Sequence, residues 1–237
     1  LKFVNQKTGD DTIDIDNWST GSENFTNDLD YAKEVAELLD VELNIVKANI
    51  DIVKDFDKMI WHLDEPQADS APLHVLNISS LAKEKGIKVL LGGTGGDDLF
   101  SGYRRHQALY YEKLINYLPN YIRNIIRSLL MIAPINNPYF RRIRKITNGF
   151  NKPTDERMAE YFNWLSYDKV TNLFNNKIIN YLKSYSPSSF FIELNKEIVN
   201  EKNLLNKMLY WELRSFLVDH NLNYTDKMAM AVGVEAR

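Results

Sequence analysis

The stretch from Ile87 to His106, "IKVLLGGTGGDDLFSGYRRH", constrains the fold of this chain more than any other. Its opening run, Ile87 to Leu91, is largely apolar, which is typical of a strand that a parallel sheet buries on both faces. Four glycines among the five residues from Gly92 to Gly96 follow that strand directly. The next residues, "DDLFSGY", indicate a helix start. The stretch therefore predicts a strand that turns through a glycine loop into a helix.

The first half of the chain alternates short apolar runs with amphipathic patterns. End signals, such as Asp28 before one helix and Ser70, Pro72 and Gly86 around another, add to the apolar spacing of three helices. The polar residues 5–27 predict a loop. The predicted strands are 1–4, 42–48 and 87–91, and the predicted helices are 29–40, 52–62 and 72–85. This order of elements indicates an α/β layer with a parallel sheet.

The second half of the chain has a different pattern. From Tyr110 to Phe216 it is rich in Leu, Ile, Tyr and Asn at helical spacing, with prolines between the periodic segments. This pattern predicts about six helices and no strand. We therefore expect one domain in two parts, with residues 1–109 as the α/β nucleotide-binding part and residues 110–237 as the helical part.

Composition excludes several classes of function. With 44% hydrophobic and 26% charged residues and a formal net charge of −3, the 237 residues predict a globular protein without a nucleic-acid or membrane partner. The basic run "RRIRK", Arg141 to Lys145, is more typical of a solvated helix face. The absence of cysteine excludes a thiol nucleophile and is compatible with a cytoplasmic location. The chain starts without methionine inside a predicted strand, so we expect a fragment at both ends.

The glycine loop suits phosphate, because glycines let backbone N–H groups approach a ligand and a helix start favours an anion. The loop fits neither the dinucleotide fingerprint nor the lysine-containing nucleotide-triphosphate loop. It carries Asp97 and Asp98 instead, and a carboxylate beside phosphates requires a cation between them. Mg²⁺ is the usual one. The alternative is a tight turn whose aspartates cap a helix.

The stretch "GIKVLLGGTGGDDLFSGYRRH" resembles the second signature of the asparagine synthetase family, Ser-Gly-Glu/Asp-Gly-x-Asp-Glu-Leu-Phe-Gly-Gly-Tyr. Three further blocks resemble that family in the same order: "NDLDYAKEVAELLDVELN", "DEPQADSAP" and "LRSFLVDHNLNYTDKMAMAVGVEAR". The resemblance covers residues 27–106 and 209–237. Between them the chain matches only as a helical segment of suitable length.

The resemblance implies a doubly wound parallel sheet of the ATP pyrophosphatase (adenine nucleotide alpha hydrolase-like) type, extended by an all-helical portion. It implies an ATP-dependent ligase that uses ATP and Mg²⁺, adenylates a carboxylate and transfers ammonia from glutamine. The ammonia comes from a glutaminase domain that is absent from this chain, as is the family's first nucleotide loop, Ser-Gly-Gly-x-Asp-Ser. We therefore expect the isolated chain to be inactive. A homodimer is one expected assembly, and the oligomeric state stays open.

The resemblance also assigns roles to individual residues. Asp97 falls on the carboxylate that binds Mg²⁺ with pyrophosphate, and Lys227 falls where a family cation offsets phosphate charge; both are expected to be catalytic. The expected contacts to ATP or pyrophosphate are Gly92, Gly93, Thr94, Gly95, Gly96 and Asp97. The candidate substrate contacts are Asp64, Glu65, Ser70, Asp98 and Arg104. Two alternatives stay open, namely that Asp64 and Glu65 only terminate a helix and that Arg104 forms a salt bridge.

Two departures from the family pattern matter for the function. Gly92 replaces the usual serine, and Thr94 replaces a Glu or Asp associated with adenylation of aspartate. A hydroxyl group has no pKa suited to a base at neutral pH. Three hypotheses remain: an asparagine synthetase acting on L-aspartate, a related amidotransferase acting on another carboxylate such as a sugar acid of surface polysaccharide synthesis, and a non-catalytic nucleotide-binding relative.

Overall fold

The computed structural model describes residues 4–5, 28–46, 52–65, 67, 69–132, 140, 143–144, 147, 149–163, 165 and 167–237. The strands are β1 (Val4–Asn5), β2 (Glu42–Leu43), β3 (Val89–Leu90) and β4 (Glu235–Ala236). The α-helices are α1 (Asp28–Leu38), α2 (Ile52–Leu63), α3 (Ala71–Glu84), α4 (Gly96–Leu99), α5 (Arg104–Leu109), α6 (Glu112–Tyr117), α7 (Asn120–Ile132), α8 (Thr154–Glu160), α9 (Tyr167–Thr171), α10 (Asn176–Tyr181), α11 (Ser189–Leu194), α12 (Leu204–Arg214) and α13 (Asn223–Met230). Leu182–Ser184 and Asn195–Glu197 are 3₁₀ turns, and Phe216–Leu222 is a π-helix.

The three helices predicted in the first half are confirmed as α1, α2 and α3, with ends within two residues of the prediction. β2 and β3 are shorter than the predicted strands 42–48 and 87–91, since each pairs over two residues only. β4 was not predicted and lies in the part, 110–237, that we expected to be helical. Residues 1–3, 6–27 and 47–48, which carry the other predicted strand and loop positions, lie outside the described residues. The same holds for most of the run 141–145, where Arg144 Nη2 donates to the Leu130 carbonyl at 3.0 Å.

The two sheets differ in direction. β3 pairs in parallel with β4, in the register Val89 with Glu235 and Leu90 with Ala236, as an α/β layer requires. β1 pairs with β2 in the antiparallel direction, which differs from the parallel pairing that we predicted. The chain between them includes the long polar stretch 6–27, so it is not the direct strand–helix–strand crossover on which the parallel prediction depended. The described part of the chain is mostly helical, with one small parallel sheet.

The described residues group into two compact units, one formed by those up to Gly96 together with Ser215–Arg237 and the other by Asp97–Arg214. The C-terminal segment belongs to the first unit because β4 pairs with β3. The division into residues 1–109 and 110–237 that we predicted stays a prediction. None of the helices in the described part of the chain combines the length and the apolar character that a bilayer crossing requires.

The first unit is built around α3, whose ends follow local chemistry. Ser70 precedes the helix as predicted, but its side chain makes no cap, and Asp69 Oδ1 accepts from the Ala71 N–H at 3.0 Å instead. At the other end Gly86 adopts φ of +77°, the left-handed conformation that glycine adopts without strain. The Gly86 N–H donates to Lys83 and the Ile87 N–H to Ala82, both at 2.9 Å, which completes a Schellman ending.

The core of the first unit packs α3 against α2 and α13. The buried members of this cluster are Met59, Leu63, Leu73, Val75, Leu76 and Met228. A second cluster, made of Ile78, Ala82, Leu90 and Val234, joins α3 to the parallel sheet. Full burial of each large apolar side chain contributes about 1.5–3 kcal/mol, so these contacts fix the frame that carries the glycine loop.

The regular elements in the described residues of the second unit are all helices, as predicted for the segment after Tyr110. Its buried core residues are Ala108, Leu109, Met158, Ala159, Tyr161, Leu194, Met208 and Trp211. Beside this core Arg157 forms a buried ion pair with Glu112, at 2.6 Å from Nη2 to Oε2. The Tyr161 hydroxyl donates to Glu112 Oε1 at 2.7 Å, and burial together with Glu112 raises the pKa of that phenol. The hydroxyl therefore stays protonated as a donor.

We expect Glu112→Gln to lower the free energy of unfolding by about 3 kcal/mol, because it leaves the Arg157 guanidinium buried without its counter-charge. Urea unfolding measures the loss. The control is Lys196→Ala, which breaks an exposed ion pair with Glu193 and should change stability little. Equal effects of the two variants would contradict the prediction.

Candidate functional site

The glycine loop, residues 92–96, leaves β3 as predicted. The Gly92 N–H donates to the Arg237 carbonyl at 2.7 Å, so the start of the loop continues the pairing with the C-terminal strand. Gly95 has φ of +96°, and a Cβ placed there would lie 3.3 Å from Leu217 Cδ1. Gly95 therefore needs to be glycine for its conformation and is crowded as well. At Gly93 and Gly96 an added Cβ would meet no described atom within 4 Å, so the loop is open there.

The loop offers donors for a ligand. The Gly96 N–H donates to the Gly93 carbonyl at 3.2 Å. Within the described part of the chain, the N–H groups of Gly93, Thr94 and Gly95 donate no backbone hydrogen bond. Successive N–H groups without backbone acceptors at an open glycine loop favour an anion. The residues present therefore fit a phosphate group.

Asp97 follows Gly96 in the sequence and is exposed at the start of α4. Its carboxylate lies against Gly102, where an added Cβ would come within 1.9 Å of Asp97 Oδ1. The Gly102 N–H donates to the Asp97 carbonyl at 3.0 Å. The Asp97 carboxylate can therefore occupy this position only because residue 102 is glycine and has no side chain. An exposed carboxylate of this kind suits Mg²⁺, which binds through few protein ligands and keeps water and phosphate oxygens.

Asp98, a candidate substrate contact, is fully buried and accepts from the Tyr103 hydroxyl at 3.1 Å. Arg105 and His106 both donate toward Glu212 on α12: Arg105 Nε contacts Oε1, and His106 Nε2 lies 2.8 Å from the same oxygen. Arg105 thus forms the kind of salt bridge that we weighed for Arg104. The roles of Asp98 and the exposed Arg104 toward a substrate stay predictions.

In the first unit, Lys227 of α13 forms an ion pair with Asp64. Asp64 directly follows α2 and adopts φ of +63°, so it does end that helix. Its neighbour Glu65 is exposed, and Ser70 is buried at the start of α3. The structure brings together two residues that we assigned separately to the substrate and to phosphate. Their separation of 163 residues gives no sequence signal for this pair.

A contact between a carboxylate and an imidazole was missed by the sequence analysis. His220 Nε2 lies 3.5 Å from Asp69 Oδ2, and His220 stacks on Phe216 with ring centroids 4.7 Å apart. His220 lies in the π-helix Phe216–Leu222, a conformation frequent at functional sites. Asp69 and His220 lie in two of the blocks that resemble the family, but neither block gives a spacing signal that joins them.

No group of three or more His, Asp or Glu side chains in the described ranges has a geometry that holds a metal ion. The assignment of Mg²⁺ to Asp97 stays a prediction.

A parallel strand, an open glycine loop and an exposed carboxylate are typical of a protein that binds a nucleotide phosphate. The asparagine synthase family matches residues 11–237 of this chain. The chain therefore belongs to this family of ATP-dependent amidotransferase ligases, which confirms the resemblance. The family implies the adenine nucleotide alpha hydrolase fold.

Three relatives illustrate the range of similarity. The "Asparagine synthetase [glutamine-hydrolyzing] 1" of Bacillus subtilis strain 168 is 26% identical over 215 residues, 89% of this chain and 32% of the relative. The "Putative asparagine synthetase [glutamine-hydrolyzing] 1" of Methanocaldococcus jannaschii is 32% identical over 104 residues, 40% of this chain and 18% of the relative. "Amidase chyE" of Penicillium rubens is 30% identical over 78 residues, 32% of this chain and 12% of the relative. The chain thus spans at most about a third of these relatives. No solved structure matches it significantly.

We expect Gly102→Ala to move the Asp97 carboxylate, because the new Cβ and Oδ1 cannot both occupy their positions. The Asp97 side chain is exposed and can rotate, so the free energy of unfolding should fall by less than about 1 kcal/mol. A crystal structure of the variant checks the rotation. Gly93→Ala, which meets open space, is the control and should leave Asp97 in place.

Proposed function

We propose that this chain is the synthetase domain of a glutamine-dependent asparagine synthetase. In that reaction, it adenylates the side-chain carboxylate of L-aspartate with ATP–Mg²⁺ and uses ammonia to form asparagine, AMP and pyrophosphate. The observation that supports this most is the open loop 92–96, with N–H groups that have no backbone acceptor, followed by the exposed Asp97. Membership of the asparagine synthase family supports the same chemistry. The doubly wound sheet of that family is part of this proposal.

The proposed reaction has two steps. An oxygen of the substrate carboxylate attacks the α-phosphorus of ATP, and the bond to the bridging oxygen breaks so that pyrophosphate leaves with the electron pair. Ammonia then attacks the acyl carbon, loses a proton, and AMP leaves. The loop N–H groups of Gly93, Thr94 and Gly95 would hold the phosphates, and Asp97 would hold Mg²⁺, whose charge offsets that of pyrophosphate.

Lys227 would act as a second source of positive charge. In the structure its ammonium binds the Asp64 carboxylate. Asp64 is the more exposed partner, with 71% of its side chain accessible against 32% for Lys227. A polyphosphate carries more charge than a carboxylate, so it would compete with Asp64 for this ammonium.

One observation favours a carboxylate substrate other than L-aspartate. Thr94 stands where the family usually has a carboxylate, and a hydroxyl group cannot replace it as a base. The similarity to a protein named an amidase agrees with variation of the acceptor among relatives. The alternative is a related amidotransferase that acts on another carboxylate, such as a sugar acid of surface polysaccharides. A non-catalytic nucleotide-binding relative is the third hypothesis.

Exchange of labelled pyrophosphate into ATP by the full-length parent protein, with a panel of carboxylic acids, tests these hypotheses. Exchange that requires L-aspartate supports asparagine synthesis despite Thr94. Exchange that requires another acid supports the second acceptor class. Absence of exchange with every acid, at saturating ATP and Mg²⁺, would contradict the enzymatic proposal and favour the non-catalytic one.

We expect Asp97→Asn to reduce exchange at least 100-fold, because an amide oxygen is a much weaker Mg²⁺ ligand than a carboxylate. Thermal unfolding should change little, since Asp97 is exposed. Asp57→Asn makes the same chemical change on the exposed face of α2 and serves as the control. Undiminished exchange in Asp97→Asn would show that the metal binds elsewhere.

For Lys227→Ala we expect the KM for ATP in the exchange assay to rise about tenfold, which corresponds to about 1.4 kcal/mol of lost binding. Lys58→Ala removes an exposed lysine of α2 and should leave KM unchanged. A wild-type KM in Lys227→Ala would limit this residue to its surface ion pair with Asp64.

A further inference from the structure

The turn that follows α4 is closed by two neighbouring contacts. The Gly102 N–H donates to the Asp97 carbonyl at 3.0 Å, and the Tyr103 hydroxyl donates to Asp98 Oδ2 at 3.1 Å. Two consecutive residues at the start of the turn therefore bind two consecutive residues at its end. Because Asp97 and Asp98 share a short helical turn, whatever holds Asp98 also fixes the backbone from which the Asp97 carboxylate projects.

The Tyr103 ring is held from its other side by Arg105. The guanidinium carbon of Arg105 lies 3.9 Å from the centroid of the Tyr103 ring and 4.8 Å from that of Phe162. A cation between two aromatic faces is attracted to both and restrains both rings. Arg105 thus fixes the direction in which the Tyr103 hydroxyl points.

Arg105 is held in turn by Glu212. The Glu212 side chain is fully buried and accepts from both Arg105 and His106. Its neighbour Trp211 is fully buried in the helical core, so Glu212 sits on a rigid part of α12. The contacts therefore run without a break from the core, through Glu212, Arg105 and Tyr103, to Asp98.

The series of contacts from Glu212 through Arg105 and Tyr103 to Asp98 contains more polar contacts than the stability of the fold requires. Apolar residues of similar volume often replace a buried ion pair without loss of stability. The same unit contains a comparable set of residues, Glu112, Arg157 and Tyr161, whose hydrogen bonds and ion pair among the described residues do not reach the turn at Asp97. The set at Glu212 extends to Asp98 and the set at Glu112 does not, so variants of the second set are controls for variants of the first.

We propose that Tyr103, Arg105 and Glu212 are positioning residues that hold the Asp97 carboxylate in the orientation that binds Mg²⁺–pyrophosphate. This inference rests on the proposed function only in taking Asp97 as the metal ligand. Residues that orient a metal ligand usually change metal affinity 10- to 100-fold when they are replaced.

The test uses the full-length parent protein and Tyr103→Phe, which removes one hydroxyl group. Isothermal titration calorimetry measures the Kd of pyrophosphate over a series of Mg²⁺ concentrations. We expect Tyr103→Phe to weaken Mg²⁺-dependent binding about tenfold. Tyr161→Phe is the control, because it removes the hydroxyl–carboxylate bond to Glu112, which is the more buried of the two, and should change the Kd less than twofold.

Two further measurements separate positioning from a general loss of stability. If Tyr103 acts through Asp97, then Tyr103→Phe combined with Asp97→Asn should bind no more weakly than Asp97→Asn alone. Glu212→Gln, which keeps the shape and removes the charge, should weaken Mg²⁺-dependent binding in the same direction as Tyr103→Phe.

Unchanged binding in Tyr103→Phe, an equal loss in Tyr161→Phe, or a wild-type protein that binds no Mg²⁺–pyrophosphate would each overturn the inference. Failure of the proposed function can be told apart from failure of this inference, because exchange and Mg²⁺–pyrophosphate binding are measured separately. A protein that shows the expected change in binding but no exchange with any acid keeps the positioning role and loses the enzymatic one. If exchange is active and Tyr103→Phe does not change it, the enzymatic role is kept and the positioning role is lost.

Discussion

The parallel pairing of Val89 with Glu235 and Leu90 with Ala236 joins two segments that lie far apart in the sequence. It continues into the loop, where the Gly92 N–H donates to the Arg237 carbonyl. Because β4 is fixed there, the preceding helix α13 packs on α3, and Leu217 contacts the position of Gly95. The first unit therefore depends on this short ladder, since without it the glycine loop would lose the surface that supports it.

The second unit depends on buried polar contacts as well as on apolar packing. Every nitrogen of the Arg157 guanidinium has an acceptor, including the Lys152 carbonyl at 2.6 Å from Nη1. The contacts around Glu212, which binds Arg105 and His106, are less complete. There, His106 Nδ1 and Glu212 Oε2 are buried without a hydrogen-bond partner among the described residues. A buried polar atom without a partner costs about 1–3 kcal/mol. The set at Glu212 therefore has the higher cost, which agrees with a role other than stability.

The sequence predicts helices well here because periodic apolar positions and end signals are local. Gly86 ends α3 as expected, and the strand–loop–helix order around the glycines is confirmed. Strand length and sheet direction were less predictable because they depend on partners distant in the chain. The contacts at the candidate site, Asp64 with Lys227 and Arg105 with Glu212, join separate helical signatures, so no spacing rule could find them.

The π-helix from Phe216 to Leu222 has a consequence for how this family tolerates changes in length. A π-turn accommodates one residue more than an α-turn, so removal of a single residue would allow the segment to continue as a regular α-helix. Because the wide turn takes up the extra residue by itself, the helix after it would keep nearly the same orientation, and Lys227 would stay beside Asp64. In a regular α-helix the same deletion would rotate every following residue by about 100°. The segment Phe216–Leu222 is thus a place where one residue can be lost without turning the C-terminal signature away from its partners.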